Sequence, residues 1–443
     1  MMPATVITGA MGNNELVASI IDELLWRELI SDSTDLGALR EATDAGSITL
    51  YCGFDPTAPS LHLGNLAQIL TVRRFQQHGH RPLALVGGAT GLIGDPKESG
   101  ERSLNPAETV QAWVDRIRGQ LERFYDFDGP NAAVMVNNYD WTYDLSALEF
   151  LRNVGKHFSV NRMLDREAVA ARLAKDGISY TEFSYQLLQS YDYLQLFRQY
   201  ECVLQTGGSD QWGNITAGVD LVRRMDGAHV HALTTPLITK ADGTKFGKTE
   251  SGTVWLDPEL TSPYAFFQFW LNADDRDVPV LLRTFSFRSQ TEVDALIAVT
   301  AERPHERAAQ RALAEELTQL VHGDDEMRGA AAAGQVLFGH GELTDVPLDS
   351  LSAALLETPH VRLEATELED GSLPAVDELM VRCGIVESKG AARRAVKEGG
   401  AYLNNVRVVD PSQRPTTDDL VQGRWLVLRR GKRTVGGVLV ELT

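Results

Sequence analysis

The 443-residue sequence predicts an α/β protein built on a parallel sheet, followed by a helical domain and a small α+β unit. Three observations predict it. Short apolar runs that end in glycine turns alternate with helical stretches over the first 263 residues. Strand signals then stop, and helical periodicity runs from about Tyr264 to Phe338. Near the end the charge reverses. Arg382 to Arg433 holds 12 Lys/Arg against 5 Asp/Glu, a net of +7 in a chain whose total is −19, so the remainder carries −26.

Taken in order, residues 15–45 predict helix, with Leu24, Leu25 and Leu29 on one side. "SITLYCGFD" (Ser47–Asp55) predicts a buried strand running into a turn. A helix over about Leu63–Gly79 follows, then the strand and glycine turn of "RPLALVGGATGLIGDP". Asn105–Phe124 predicts a helix with Asn105 as its cap and Pro106 at its first position. "AAVMVNN" (Ala132–Asn138) is a short strand, and "CVLQTGGSDQWGN" (Cys202–Asn214) repeats strand, glycine turn and helix. "GHGELTDVPLDS" and "ELEDGSLPAV" frame a linker over 346–372. In the tail, "ESKGAARRAVKEGG" is a basic helix capped by Ser388 and stopped at Gly399 or Gly400. "AYLNNVRVV" is a hairpin turning at Asn404–Asn405.

Composition excludes several classes. No run of eighteen apolar residues predicts a membrane helix, and the N-terminus lacks the pattern of a signal peptide. Three distant cysteines, Cys52, Cys202 and Cys383, argue for a reducing compartment and against a disulfide frame or zinc site. The basic tail marks either a local polyanion site or a solvated basic face.

Three glycine turns, "YCGFDPT", "GGATGLIGDP" and "GGSDQWGN", follow predicted strands, and each holds an aspartate: Asp55, Asp95 and Asp210. In an open parallel sheet such turns converge on one crevice. The spacing fits neither a dinucleotide fingerprint nor a P-loop; "GTKFGKT" is one residue short and is followed by a turn and strand instead of a helix. Lys245 and Lys248 lie in a loop with Gly243, Gly247 and Gly252. It suits a transient, highly charged group such as a leaving pyrophosphate, or is basic only for solubility. In "FSYQLLQSYDYLQLF" a helix puts Tyr185, Gln189 and Asp192 on one stripe. A phenol, an amide and a carboxylate there fit a small zwitterion with a hydroxyl, or a solvated face.

Together these stretches resemble one family. "HLGN" at 62–65 resembles the HIGH signature of class I aminoacyl-tRNA synthetases, and "KFGKT" at 245–249 their KMSKS signature. "YCGFDPTAPSLHLGNL", "GGATGLIGDP", "SYQLLQSYDYLQLF", "GGSDQWGNI" and "TKADGTKFGKTESGTVWL" extend the resemblance to the bacterial tyrosyl members over nearly the whole chain. The tail resembles an S4-like RNA-binding domain.

The resemblance implies a Rossmann-like catalytic domain over 1–263, a helical anticodon-side domain over 264–345, the linker, and the S4-like domain over 373–443. It implies that His62 and Thr57 bind ATP phosphates, with Asn65 at the second signature position. Lys245 and Lys248 would hold pyrophosphate. Gly53, Asp55, Gly208 and Asp210 would line the adenosine and ribose region, with Gln211 near the amino-acid carboxylate. Asp95, Tyr185 and Gln189 would hold the tyrosine ammonium, and Tyr51 and Asp192 its phenolic hydroxyl. Arg393, Arg394 and Lys397 would meet tRNA. ATP enters as substrate with Mg²⁺, without a protein-borne metal site, in a cytoplasmic homodimer. Two departures stand out. The stretch "PKESGERS" after Asp95 leaves the role of Lys97 open, and Asn65 stands where many relatives have His. A tryptophanyl synthetase, another nucleotidyltransferase and a non-catalytic RNA-binding relative are the rival readings.

Overall fold

The computed structural model describes residues 19–96, 104–164, 167–174, 177–244, 246–249 and 252–441. The chain divides into two compact units, one up to Thr239 and one from Lys240. The boundary thus falls before the lysine loop, where the sequence places it after, at 263. The loop's own hydrogen bonds and aromatic contacts tie it to the helices that follow it.

The first unit is built on a six-stranded sheet. Its strands are β1 (Asp32–Ser33), β2 (Thr49–Phe54), β3 (Arg81–Val86), β4 (Val134–Asn137), β5 (Cys202–Gly208) and β6 (His231–Thr235). They lie in the order β1-β6-β5-β2-β3-β4, and every pair is parallel except β1 with β6. From β2 the chain winds outward through β3 and β4, then crosses back to β5 and β6. The direction of winding therefore reverses between β2 and β5, which opens a crevice at their carboxyl ends. Leu50, Tyr51, Cys52 and Phe54 of β2 are all buried, as a central strand covered on both faces requires. The helices Leu63–Gln77, Ala107–Leu121, Tyr180–Tyr200 and Trp212–Asp226 supply much of that cover.

Three local expectations are corrected here. Residues 15–18 of the helix expected over 15–45 lie outside the described residues, and 19–45 are not one helix. The helix Ile20–Trp26 ends before Glu28, whose φ of 59° is left-handed, and β1 intervenes before the helix Leu36–Ala45, capped by Asp35. The helix expected from Asn105 starts at Ala107, with Pro106 as its cap in extended conformation. Short β6, "HALTT", carried no signal strong enough to mark it; pairing with β5 and β1 makes it a strand.

In the second unit, β7 (Lys248–Thr249) and β8 (Gly252–Thr253) form a small hairpin after the lysine loop. Helices Pro263–Leu271, Val278–Phe285, Gln290–Glu302, Ala308–His322 and Asp324–Leu337 form the expected helical body. The C-terminal sheet contains β9 (His360–Glu364), β10 (Ala401–Leu403), β11 (Val406–Arg407), β12 (Trp425–Arg430) and β13 (Thr434–Glu441). Its order is β11-β10-β12-β13-β9. Asn404 and Asn405 take φ of 47° and 64°, the double left-handed turn of the expected hairpin. Ser388 caps the helix Lys389–Lys397, and Gly399 at φ 73° follows its end.

The linker of 346–372 is folded. It contains the helix Leu348–Leu356 and β9, which pairs in parallel with β13 from Gly437↔His360 to Glu441↔Glu364. The reason is burial on both faces of the C-terminal sheet. One face packs Leu426, Leu428 and Val438 on Leu379, Met380, Ala392 and Val396. From the other, Trp425 donates its indole N–H to Ser352 Oγ at 2.9 Å. A Cβ on Gly437 would meet the Trp425 ring at 2.8 Å and Leu355 at 3.3 Å, so only glycine allows that packing.

Candidate active site

The crevice is furnished by residues that leave the carboxyl ends of β2, β3, β4 and β5. Asp55 follows β2. Its carboxylate accepts hydrogen bonds from Thr90 Oγ1 at 2.6 Å and from the Tyr185 hydroxyl at 2.6 Å. Asn138 follows β4, and its Nδ2 donates both to Thr90 Oγ1 at 2.9 Å and to Asp192 at 3.0 Å. The Trp141 indole donates to the other Asp192 oxygen at 2.9 Å. Asp95 accepts from Gln211 Nε2 at 2.9 Å and Asn214 Nδ2 at 3.2 Å. The structure thus joins Asp55, Tyr185 and Asp192 in one network and Asp95 with Gln211 in another.

Asp192 is 2% exposed, and both of its described partners are neutral. Burial lifts its pKa to about 7; the bonds from Asn138 and Trp141 pull it down and the Asp55 charge pushes it up. Tyr51, on β2, is fully buried, and its hydroxyl has no partner among the described residues. Burial, then the Asp192 charge, holds its pKa well above the ordinary phenol value, so it remains a donor. Tyr185 is likewise kept protonated by burial and by Asp55. On the same helix, the Oε1 of Gln189 is buried without a partner. A buried unpaired hydroxyl costs about 1–3 kcal/mol, so a group that paired with it would stabilise this pocket. Tyr51 offers a donor and Asp192 an acceptor, the two partners that a hydroxyl group takes.

His62 is the N-cap of the helix Leu63–Gln77. Its Nδ1 accepts from the backbone N–H of Gly64 at 3.0 Å and of Asn65 at 3.4 Å, and Asn65 Oδ1 accepts from His62 N at 3.0 Å. An accepting Nδ1 places the ring proton on Nε2. The imidazole is therefore a neutral donor at the positive end of a helix. Gly64 explains itself here, because a Cβ would meet His62 Cε1 at 2.9 Å. The reciprocal cap also redefines Asn65: its carbonyl is occupied, and only its amide N–H₂ remains to donate.

The glycine turns serve two purposes. Gly53 and Thr57 are exposed, and a Cβ on Gly53 would only touch Leu85 at 3.5 Å, leaving room at the strand end. At Gly87 a Cβ would fall 2.0 Å from Asp55 Oδ1, so that glycine makes room for a protein carboxylate and not for a ligand. At Gly208 a Cβ would fall 2.5 Å from Asp210 Oδ1. Asp210 itself is exposed at the mouth. Cys52 is no nucleophile: burial pushes its thiol to about 12.

The sequence missed Thr90, Asn138, Trp141 and Asn214. Their only signal is position, as polar residues just beyond a strand end or one helical turn after Gln211. Lys245 and Lys97 lie outside the described residues. Lys248 opens β7 in the second unit. Arg393 is tethered to the buried Asp377 at 2.9 Å, while Arg394 and Lys397 are exposed on the same helix. Among the described residues no group of three or more His, Cys, Asp or Glu side chains is arranged to hold a metal.

The family model for class I tRNA synthetases (W and Y) matches residues 43–339. The chain belongs to that family. A second model, the tyrosine–tRNA ligase SYY-like C-terminal domain, matches 356–435 and so begins before β9, in accord with the folded segment described above. The tyrosine–tRNA ligase of Streptomyces avermitilis is 62% identical over 96% of this chain and 99% of its own. That of Thermobifida fusca is 59% identical over 96% and 100%. Among solved structures, the C-terminally truncated mitochondrial tyrosyl-tRNA synthetase of Coccidioides posadasii superposes with a TM-score of 0.63 at 31% identity, covering 71% of this chain and 91% of that one. A tryptophanyl-tRNA synthetase of Encephalitozoon cuniculi shares the fold, at TM-score 0.51 and 12% identity over 75% and 89%. Within the family this chain falls among the tyrosine–tRNA ligases, which are aminoacyl-tRNA synthetases.

The Asp192 carboxyl makes a signed prediction. Its folded pKa of about 7 lies above the ordinary carboxylate value. The folded protein therefore loses stability as pH rises from the unfolded pKa through about 7, by up to about 4 kcal/mol. In Asp192→Asn that slope should vanish, although the new amide opposes one donor and shifts the absolute value. Urea unfolding between about pH 5 and pH 8 checks this. Parallel pH profiles for both proteins would refute it.

Proposed function

We propose that the crevice of the first unit binds tyrosine with its phenolic hydroxyl between Tyr51 and Asp192, and activates it with ATP. The observation that carries this is the unpartnered Tyr51 hydroxyl beside a buried carboxylate. In the proposed arrangement Asp95, Tyr185 and Gln189 receive the ammonium. Asp55, already shared between Tyr185 and Thr90, adds negative charge on that side and leaves less of itself for the ribose. Gly53, Gly208 and Asp210 line the adenosine, and Gln211 lies near the reacting carboxylate.

The chemistry asks little of acids or bases. The tyrosine carboxylate is already ionised and attacks the α-phosphorus of ATP in line. One P–O bond forms, the bond to pyrophosphate breaks, and tyrosyl-adenylate results. A ribose hydroxyl at the 3′ end of tRNA then attacks the tyrosyl carbonyl, and AMP leaves with the bonding electrons. Catalysis is positioning and charge stabilisation. His62, with its proton on Nε2, and Thr57 donate to the phosphate oxygens as charge grows. Asn65 donates its free N–H₂ beside them, and Lys245 and Lys248 take the pyrophosphate charge. Mg²⁺ accompanying ATP would be held through its phosphates and water and would offset phosphate charge.

Specificity follows from the same buried pair. Phenylalanine would leave the Tyr51 hydroxyl unpaired and deny Asp192 a further donor, and tyrosine–tRNA ligases are a well-known instance of that penalty. The basic C-terminal sheet and helix suit tRNA phosphates, with Arg394 and Lys397 presented outward and Arg393 partly neutralised by Asp377. We also place the protein in the cytoplasm, as a homodimer. Tyr143, Leu148, Leu151, Val160, Leu173 and Tyr180 are exposed within one stretch of the first unit, which supports burial against a second copy.

Asp192→Ala should raise the KM for tyrosine by about 10- to 100-fold, the loss of a hydrogen bond to a charged group, with little change in the KM for ATP. Tyrosine-dependent ATP–pyrophosphate exchange measures it, and an unchanged rate at low tyrosine would sink the pocket assignment. The double substitution Arg394→Glu and Lys397→Glu should leave exchange intact and weaken tRNA charging by about tenfold or more, with a shallower salt dependence. Equal charging would remove this face from the tRNA surface. Leu148→Glu with Tyr180→Glu should convert the dimer to monomer in sedimentation velocity; an unaltered dimer places the interface elsewhere.

A further inference from the structure

The lysine loop carries an aromatic ring between its two lysines in sequence, and that ring is not in solvent. Phe246 is half-buried. Its centroid lies 5.4 Å from Phe269, 5.8 Å from Trp270 and 5.6 Å from Phe285. Those three also pack on one another: Phe269 with Trp270 at 5.3 Å, and Trp270 with Phe285 at 4.9 Å. The cage is made by the helices Pro263–Leu271 and Val278–Phe285. Edge-on and tilted contacts of this kind are attractive and directional, so they fix a ring's place and not only its burial.

A second attachment holds the base of the loop. Asp277, at the start of the Val278–Phe285 helix, accepts a hydrogen bond from the backbone N–H of Ala241 at 2.6 Å. Between the two attachments the chain makes a tight turn. Gly243 N donates to Lys240 O at 2.8 Å, Lys240 N donates to Thr244 O at 2.9 Å, and Asp242 accepts from Thr244 N at 2.9 Å. Beyond Phe246, Val254 N returns to Gly247 O at 3.0 Å and closes the small hairpin. The loop is therefore tied to the helical body at Ala241 and at the Phe246 ring. A loop needed only for solubility has no use for such a cage. A loop that must deliver two ammonium groups to a transient charge does, because a misplacement of about 1 Å costs on the order of 100-fold in rate.

We propose that Phe246 is a positioning residue for adenylate formation: seated among Phe269, Trp270 and Phe285, and helped by the Asp277 clamp, it sets where Lys245 and Lys248 are delivered. The inference rests on the pyrophosphate role given to those lysines above. It makes the catalytic loop a mechanical part of the helical unit.

Single-turnover adenylate formation separates the outcomes. Phe246→Ala should slow the first-order step on the order of 100-fold, with tyrosine affinity unchanged. Phe246→Met, which refills the cage, should recover most of the rate. A Phe246→Ala protein with an unchanged rate overturns the proposal. So does one in which rate and tyrosine affinity fall together and Met fails to rescue, since that is a structural defect. If Phe246→Ala does not fold, Asp277→Ala carries the test: the same split between rate and tyrosine affinity supports the proposal, and an unaltered rate overturns it. Lys248→Ala run in parallel distinguishes the two levels. If it slows the step while the Phe246 and Asp277 variants do not, positioning alone is wrong. If it too leaves the rate unchanged, the role of the lysines falls first.

Discussion

Two carboxylates, Asp55 just beyond β2 and the buried Asp192 on the helix Tyr180–Tyr200, are the constraint on which the first unit depends. Asp55 and Asp192 are held by a phenol, a hydroxyl, an amide and an indole, and one amide, Asn138, serves the networks of both. A carboxylate taken out of water without a matching cation is expensive. The cost appears in Asp192 as a pKa lifted to about 7. What lowers the cost is a set of neutral donors fixed in place by the fold. In the proposed pocket a ligand hydroxyl completes that set, and selectivity for tyrosine follows from the same arrangement.

The sheet order makes the arrangement possible. Reversal of winding between β2 and β5 leaves their ends uncovered, so side chains from four strands and the Tyr180–Tyr200 helix meet without blocking a ligand. Glycines at 87 and 88 let β3 run directly under Asp55 and Asn137. The helix after β2 contributes its N-terminus, and His62 caps it through Nδ1, which satisfies two backbone donors.

The second unit shows how a chain uses packing to carry a loop and a C-terminal sheet domain. Its lysine loop clusters with the helices that follow it and not with the sheet that precedes it. Its C-terminal sheet is covered on one face by its own helices and on the other by the helix Leu348–Leu356, through Trp425 and Ser352. Asn405, in the hairpin turn, donates to Val336 O at 2.7 Å, at the end of the helix Asp324–Leu337. The basic module is therefore fastened to the helical body by a folded connection.

Much of this was legible in the residues. Alternating strands, glycine turns and helices state a parallel sheet because each period has one physical solution. Caps at Ser388 and the turn at Asn404–Asn405 are local, so they were readable locally. The stripe of Tyr185, Gln189 and Asp192 follows from helical geometry alone. What failed was whatever depended on distant partners. β6 and β9 are strands because β5 and β13 lie beside them, and no five-residue window carries that information. Asn138, at the end of the stretch "AAVMVNN", and Trp141 carry no local sign of a site; the fold sets them against Asp192, fifty-odd positions away in sequence. The sequence by itself determined most of the element types and the family. Only the tertiary structure decided which donors pay for the two carboxylates, which ring nitrogen of His62 holds the proton, and to which unit the lysine loop belongs. Those are set by contacts between segments far apart in the chain.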